Sequence, residues 1–229
     1  MFRWFMLLLL ACSASVAWGQ APLAPEIRAH TVLVLGDSLS AAYNLPEDKG
    51  WVALMQARMA RLSSDAKMPA GHNPVSKTPW DIINASISGE TTSGGLSRLP
   101  ELLAVHQPGW VLIELGANDG LRGLPLSIVR QNLQKLIALS EQAGARVVLL
   151  GIMLPPNYGP AYTTPFRNMY HELARENHLP LVPFILQGVA EDRSLMQADG
   201  LHPTAAGEPK VLDTIWSVVA PLWGLDGQH

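Results

Sequence analysis

An α/β fold, a three-layer α/β/α sandwich on a roughly five-stranded parallel sheet, is what this sequence predicts. Two patterns carry the prediction: short, continuously apolar runs suited to strands buried on both faces, and stripes of apolar residues at helical spacing lying between them, the alternation of a βαβ series. The chain's 229 residues, 48% hydrophobic and 15% charged, set the scale. They are ample for one substantial core and exclude low-hydrophobicity disorder.

The chain opens on MFRWFMLLLLACSASVAWG, with Arg3 in a short basic start, an apolar run from Phe5 to Cys12, and small residues leading to Ala17-Trp18-Gly19. This pattern predicts a secretory signal peptide over residues 1–19 and a periplasmic or secreted protein. The apolar run is too short to span a bilayer, so no stable membrane anchor is expected after cleavage. Leu9-Leu10-Ala11-Cys12 loosely resembles a lipobox, but a cut there leaves a signal of only eleven residues. Cleavage after Gly19 removes the sole cysteine, Cys12, and leaves stability to the core rather than to disulfides.

Residues 20–30 read as a Pro-rich arm and 31–229 as a single domain. Strands are predicted over Thr31 to Leu35, Asp81 to Ser86, Trp110 to Leu115, Arg146 to Gly151 and Leu179 to Phe184. Trp51, Met55, Met59 and Leu62 form the first helical stripe. Leu126, Val129, Leu133, Leu136 and Ser140 form a second, opened by Pro125 and closed by Gly144, where start and stop signals belong. Leu212, Ile215, Trp216 and Val219 form a third; the Trp and Met side chains in these stripes are expected to pack the core. Ser63 to Pro79, rich in Pro, Ser and Lys, reads as a surface loop insertion.

Formal net charge is −3, with 16 basic and 19 acidic residues scattered along the chain. Nucleic-acid binding therefore has no electrostatic footprint. In an open parallel sheet, ligands bind beyond the carboxyl ends of the strands. Three polar, Gly-bearing segments follow the first three strands there: Gly36 to Ser40, Ile87 to Thr91 and Gly116 to Gly120. Asp199-Gly200-Leu201-His202-Pro203 precedes the last helix. Together they supply what acyl transfer by serine needs. Ser38 is the candidate nucleophile and His202 its base. Asp199 is placed to hold the imidazole tautomer. The Ser38 and Gly89 backbone N–H groups and the Asn118 amide are candidate oxyanion donors.

The blocks GDSLS (Gly36 to Ser40), Ser88-Gly89, GANDG (Gly116 to Gly120) and DGLHP (Asp199 to Pro203) resemble, in order and spacing, the SGNH or GDSL family of serine hydrolases. Through NASISGET, RLPELL, LGANDGLRG and LPPNYG the chain is most similar to the periplasmic thioesterase I, lysophospholipase and arylesterase branch. The resemblance implies the family's flavodoxin-like fold and hydrolysis of fatty acyl esters, aryl esters, acyl-CoA thioesters or lysophospholipids. It also implies a mobile loop at Glu90 to Gly95 and substrate-binding residues at Leu154 and Pro155. Ala42 and Asn44 depart from it, standing where the branch often carries glycine.

No cofactor and no metal are expected, since no second His or Cys lies at ligand spacing from Asp199 and His202. A monomer acting on a small-molecule ester or thioester is expected. Asp37 and Asp119 read as turn-shaping and structural carboxylates, and His30, His72, His106, His171, His178 and His229 as surface or packing residues. The alternatives are a carbohydrate acetyl-esterase of the same fold, which would favour an open, polar, aromatic-lined cleft, and a secreted binding protein on an inactive hydrolase scaffold.

Overall fold

A computed structural model describes residues 28–65 and 79–225 of the chain. The expected signal peptide, most of the arm, most of the Ser63 to Pro79 insertion, His72 and His229 lie outside the described residues. Strands β1 (Arg28–Gly36), β2 (Asp81–Asn84), β3 (Pro108–Glu114), β4 (Arg146–Leu150) and β5 (Leu181–Val182) form one parallel sheet in the order β2-β1-β3-β4-β5. The helices are α1 (Trp51–Asp65), α2 (Thr92–His106), α3 (Ala117–Leu121), α4 (Leu126–Gln142), α5 (Pro160–Glu176) and α6 (Glu208–Leu222).

Alternate strand residues point to opposite faces, and both faces are covered, which is why the strands read as unbroken apolar runs. Val32, Val34, Trp110, Leu112 and Val148 pack against the Trp51, Met55 and Met59 stripe of α1 and the Leu212, Ile215, Trp216 and Val219 stripe of α6. Leu33, Leu35, Val111, Ile113 and Leu149 face α2, α4 and α5. The chain leaves β1 toward β2 on one side while β3 lies on the other, so the sheet's switch point falls between β1 and β3. Their register sets Gly36 opposite Glu114, and the loops that follow start level with one another.

Several boundaries differ from the sequence prediction. β1 begins at Arg28, inside the expected arm, because Arg28 N–H donates to Gln107 O at 2.9 Å; this backbone pairing leaves no hydropathy signal. β5 is only two residues long, flanked by Pro180 and Pro183, which have no N–H for a ladder. Ser63 to Asp65, assigned to the insertion, continue α1.

Helices α2, α3 and α5 are not anticipated by the sequence reading. α2 carries Gly94, Gly95 and Pro100, all poor helix formers. It starts at Thr92, capped by the Thr91 hydroxyl accepting from Gly94 N–H at 3.2 Å, so the expected loop at Glu90 to Gly95 is a loop only through Thr91. Gly95 is required by close approach: a Cβ there would stand 2.4 Å from Leu115 Cδ1. In α5, two prolines mask a buried stripe of Phe166, Met169, Tyr170 and Leu173.

Candidate active site

Ser38 sits in the turn that leaves β1, and buried carboxyl groups shape that turn. Asp37 Oδ1 accepts from Leu39 N–H at 3.0 Å, and Asp37 N–H donates to Glu114 Oε2 at 3.1 Å. The same Glu114 oxygen accepts from the Ser40 hydroxyl at 2.8 Å. Burial pushes the Asp37 carboxyl up to about 6, against the opposing pull of Leu39 N–H, the His202 ring and the Asn118 amide. Burial, reinforced by the neighbouring Asp37, raises Glu114 well above the ordinary carboxylate range, while the Ser40 hydroxyl and Asp37 N–H pull the other way.

The candidate base, His202, comes from the segment before α6. His202 Nε2 lies 2.8 Å from Ser38 Oγ, and His202 Nδ1 lies 2.7 Å from Asp199 Oδ2. The carboxylate sets the tautomer: Nδ1–H donates to Asp199, leaving Nε2 to accept from the serine hydroxyl. Asp199 is itself held by Leu201 N–H at 2.9 Å and His202 N–H at 3.1 Å on Oδ1. Partial burial works against its ionisation, yet these N–H bonds and the imidazole outweigh it and hold the carboxyl below its ordinary range.

Gly89 occupies the third position of a tight turn closed by Glu90 N–H donating to Ile87 O at 3.0 Å; its φ of +81° suits glycine. Neither Ser38 N–H nor Gly89 N–H donates to another described residue. The Asn118 amide, in the first turn of α3, bridges two loops by donating to Glu90 O at 2.9 Å and Asp37 Oδ2 at 3.1 Å. Asp119, the next residue, is buried and accepts from both the N–H and hydroxyl of Thr92, at 2.9 and 2.6 Å, pinning the start of α2.

Ser38, Asn118 and His202 open into a crevice of ≈ 190 Å³ whose other walls are apolar and include Leu121, Ile152, Leu154, Pro155 and Leu186. Asp199 bonds the far side of the imidazole, and Gly89 is outside the crevice lining, its carbonyl accepting from Arg122 Nη2 at 3.2 Å. The sequence reading missed Glu114, Tyr43 and most of the lining. For Glu114 a signal exists: one acidic residue inside WVLIEL, where an unpaired charge is costly.

The model of the GDSL-like lipase/acylhydrolase family matches residues 34–208. Esterase TesA of Pseudomonas aeruginosa is 44% identical over 216 residues, covering 94% of this chain and 98% of its own length. The thioesterase 1/protease 1/lysophospholipase L1 of Escherichia coli K12 is 39% identical over 194 residues, covering 85% of each chain. The chain belongs to the GDSL (SGNH) hydrolase family. Among solved members, the psychrotrophic esterase EstA from Pseudoalteromonas sp., inhibited by monoethylphosphonate, superposes with a TM-score of 0.75 at 38% identity, covering 85% of this chain and 99% of that one.

The two positions where the branch often has glycine, Ala42 and Asn44, both adopt positive φ here, 54° and 57°. Left-handed backbone explains why glycine suits these sites, and this GDSL chain keeps the conformation with a side chain on each.

Proposed function

We propose that the chain hydrolyses carboxylic esters and thioesters through an acyl-enzyme on Ser38. The observation that carries this reading is the relay from Ser38 Oγ through His202 to Asp199, at 2.8 and 2.7 Å, at the mouth of an apolar crevice. Ser38 Oγ attacks the acyl carbonyl carbon while His202 Nε2 takes the hydroxyl proton, and the carbonyl electron pair moves onto oxygen. The Ser38 and Gly89 N–H groups and the Asn118 amide donate to that oxyanion. Because both Asn118 N–H directions rest on Glu90 O and Asp37 Oδ2, its part requires one of those bonds to be shared or released.

Collapse breaks the bond to the leaving oxygen or sulfur, which departs with the proton held by His202. Water then attacks the acyl-enzyme, giving its proton to His202, and the carboxylic acid leaves as Ser38 recovers its hydrogen. An apolar crevice favours fatty acyl groups over the polar acyl neighbours of a carbohydrate ester. The scheme takes a small-molecule ester or thioester as its substrate.

Hydrolysis of p-nitrophenyl esters from acetyl to palmitoyl, of acyl-CoA and of lysophospholipid tests the reading beside S38A. Wild type turns over the longer acyl esters, and S38A keeps its melting temperature while losing turnover. A purified S38A protein with full activity overturns the scheme.

The opening residues support export, and we infer a periplasmic or secreted mature protein beginning at Gln20. Intact mass of the periplasmic fraction from a Gram-negative host checks this. A species retaining Cys12 with attached acyl chains would show lipidation instead.

A further inference from the structure

Tyr43 stands on the loop that follows Ser38, between the two positive-φ residues Ala42 and Asn44. Its ring lies on the imidazole of His202, with centroids 4.4 Å apart and planes 35° from parallel. The backbone around it is tied to both halves of the site. Tyr43 N–H donates to Ser38 O at 3.3 Å, while Gln197 Nε2 donates to Tyr43 O at 2.9 Å and to Pro203 O at 2.8 Å. Gln197 N–H in turn donates to His202 O at 2.8 Å. The tyrosine hydroxyl bonds no other described residue, and the residue is 39% exposed. The backbone is held by these bonds, and the contact its ring makes is with the imidazole.

We propose that Tyr43 is a positioning residue for His202: its ring holds the imidazole toward Ser38 and favours the imidazolium that forms as Ser38 attacks. This rests on His202 being the base. The carboxyl groups beside the imidazole are Asp199, on its own loop, and Asp37, on the loop after β1, and Tyr43 adds the negative face of a π system. Gln197 fastens the loop that presents the ring to the loop that presents the base, so the stack and the Ser38 contact are kept together.

The test compares Y43L, which keeps apolar bulk but has no π face, with Y43F, which keeps the face and lacks the hydroxyl. Y43L is expected to lower kcat by about 3- to 30-fold, the range of a cation–π contact from exposed to desolvated settings, with KM nearly unchanged. The acid limb of kcat/KM should move to lower pH, because an imidazolium without the ring is less favoured and the base stays neutral further into acid. Y43F restores kcat and the wild-type profile. Melting temperatures recorded in parallel separate this from a folding defect.

Wild-type kcat with an unshifted acid limb in Y43L, or a loss confined to KM or melting temperature, overturns the proposal. H202A distinguishes the two levels. An inactive H202A beside an unimpaired Y43L removes only the role of Tyr43, whereas a fully active H202A removes the base and the proposal with it.

Discussion

Replacing Asn118 separates an oxyanion donor from a turn former, and the contacts of its amide give the expected sizes. With the Asn118 amide as the proposed oxyanion donor, Asn118→Ala should lower kcat by about 10² to 10³, or about 2.7 to 4 kcal/mol, with KM little changed. It also deletes the bonds to Glu90 O and Asp37 Oδ2, each worth about 0.5 to 1.5 kcal/mol of stability. Asn118→Asp sets a second carboxyl against Asp37 Oδ2, at the present 3.1 Å separation. Two charges that close repel by on the order of 5 kcal/mol at an effective dielectric near 20, so one of the pair keeps its proton.

A carboxyl whose pKa is raised on folding binds more protons folded than unfolded between the two values, and stability then falls as pH rises. Asn118→Asp should therefore be more stable, relative to wild type, at pH 5 than at pH 8, and no more active than Asn118→Ala. Initial rates on a p-nitrophenyl ester, with urea melts at both pH values, check each part. An Asn118→Asp enzyme with near-normal kcat, beside an Ala variant impaired only in stability, would refute the reasoning, since aspartate is a good turn residue.

Two further outcomes follow from the packing. Burial raises Glu208, whose carboxyl accepts from Trp51 N–H at 2.9 Å, to about 7 from an ordinary 4.5, so folded protein holds a proton that unfolded protein releases across that interval. Wild type should lose on the order of 1 to 3 kcal/mol of stability from this group between pH 4.5 and pH 7, and E208Q should flatten that part of a urea-melt profile; identical pH slopes would contradict it. A Cβ at Gly50 would stand 2.6 Å from Ala42 Cβ, so G50A should cost about 1 to 3 kcal/mol by overpacking. Adding A42G should recover much of that loss in a double-mutant cycle, and strict additivity of the two changes would show that the loops do not meet as described.

Much of the site was legible because its groups fall in short blocks directly after apolar strands. Ser38, Asn118 and His202 could be picked out from residue type and position, and Asp199 from its offset of three from the histidine. Glu114 was passed over as part of a strand. Tyr43 was not weighed, since one aromatic in a loop carries no periodic signal. Helix α2 was hidden because its glycines and proline oppose helix on propensity, and close packing of Gly95 on Leu115 overrides that preference.

By itself the sequence determined the sheet's apolar strands, three of the helical stripes, and the order of the polar blocks at the strand ends, because burial on two faces and amphipathic spacing are local patterns that a chain must display to fold. Only the tertiary structure decided that the Asn118 amide rests on Asp37 and Glu90, that the buried Glu114 carboxyl bonds Asp37 N–H and the Ser40 hydroxyl on either side of Ser38, and that the Tyr43 ring lies on the His202 imidazole. Those contacts join residues from 28 to 159 positions apart in number, as between Asn118 and Glu90 or Tyr43 and His202. A hydrogen bond or ring contact depends on distance and direction in space, which neither residue's immediate neighbours along the chain can specify.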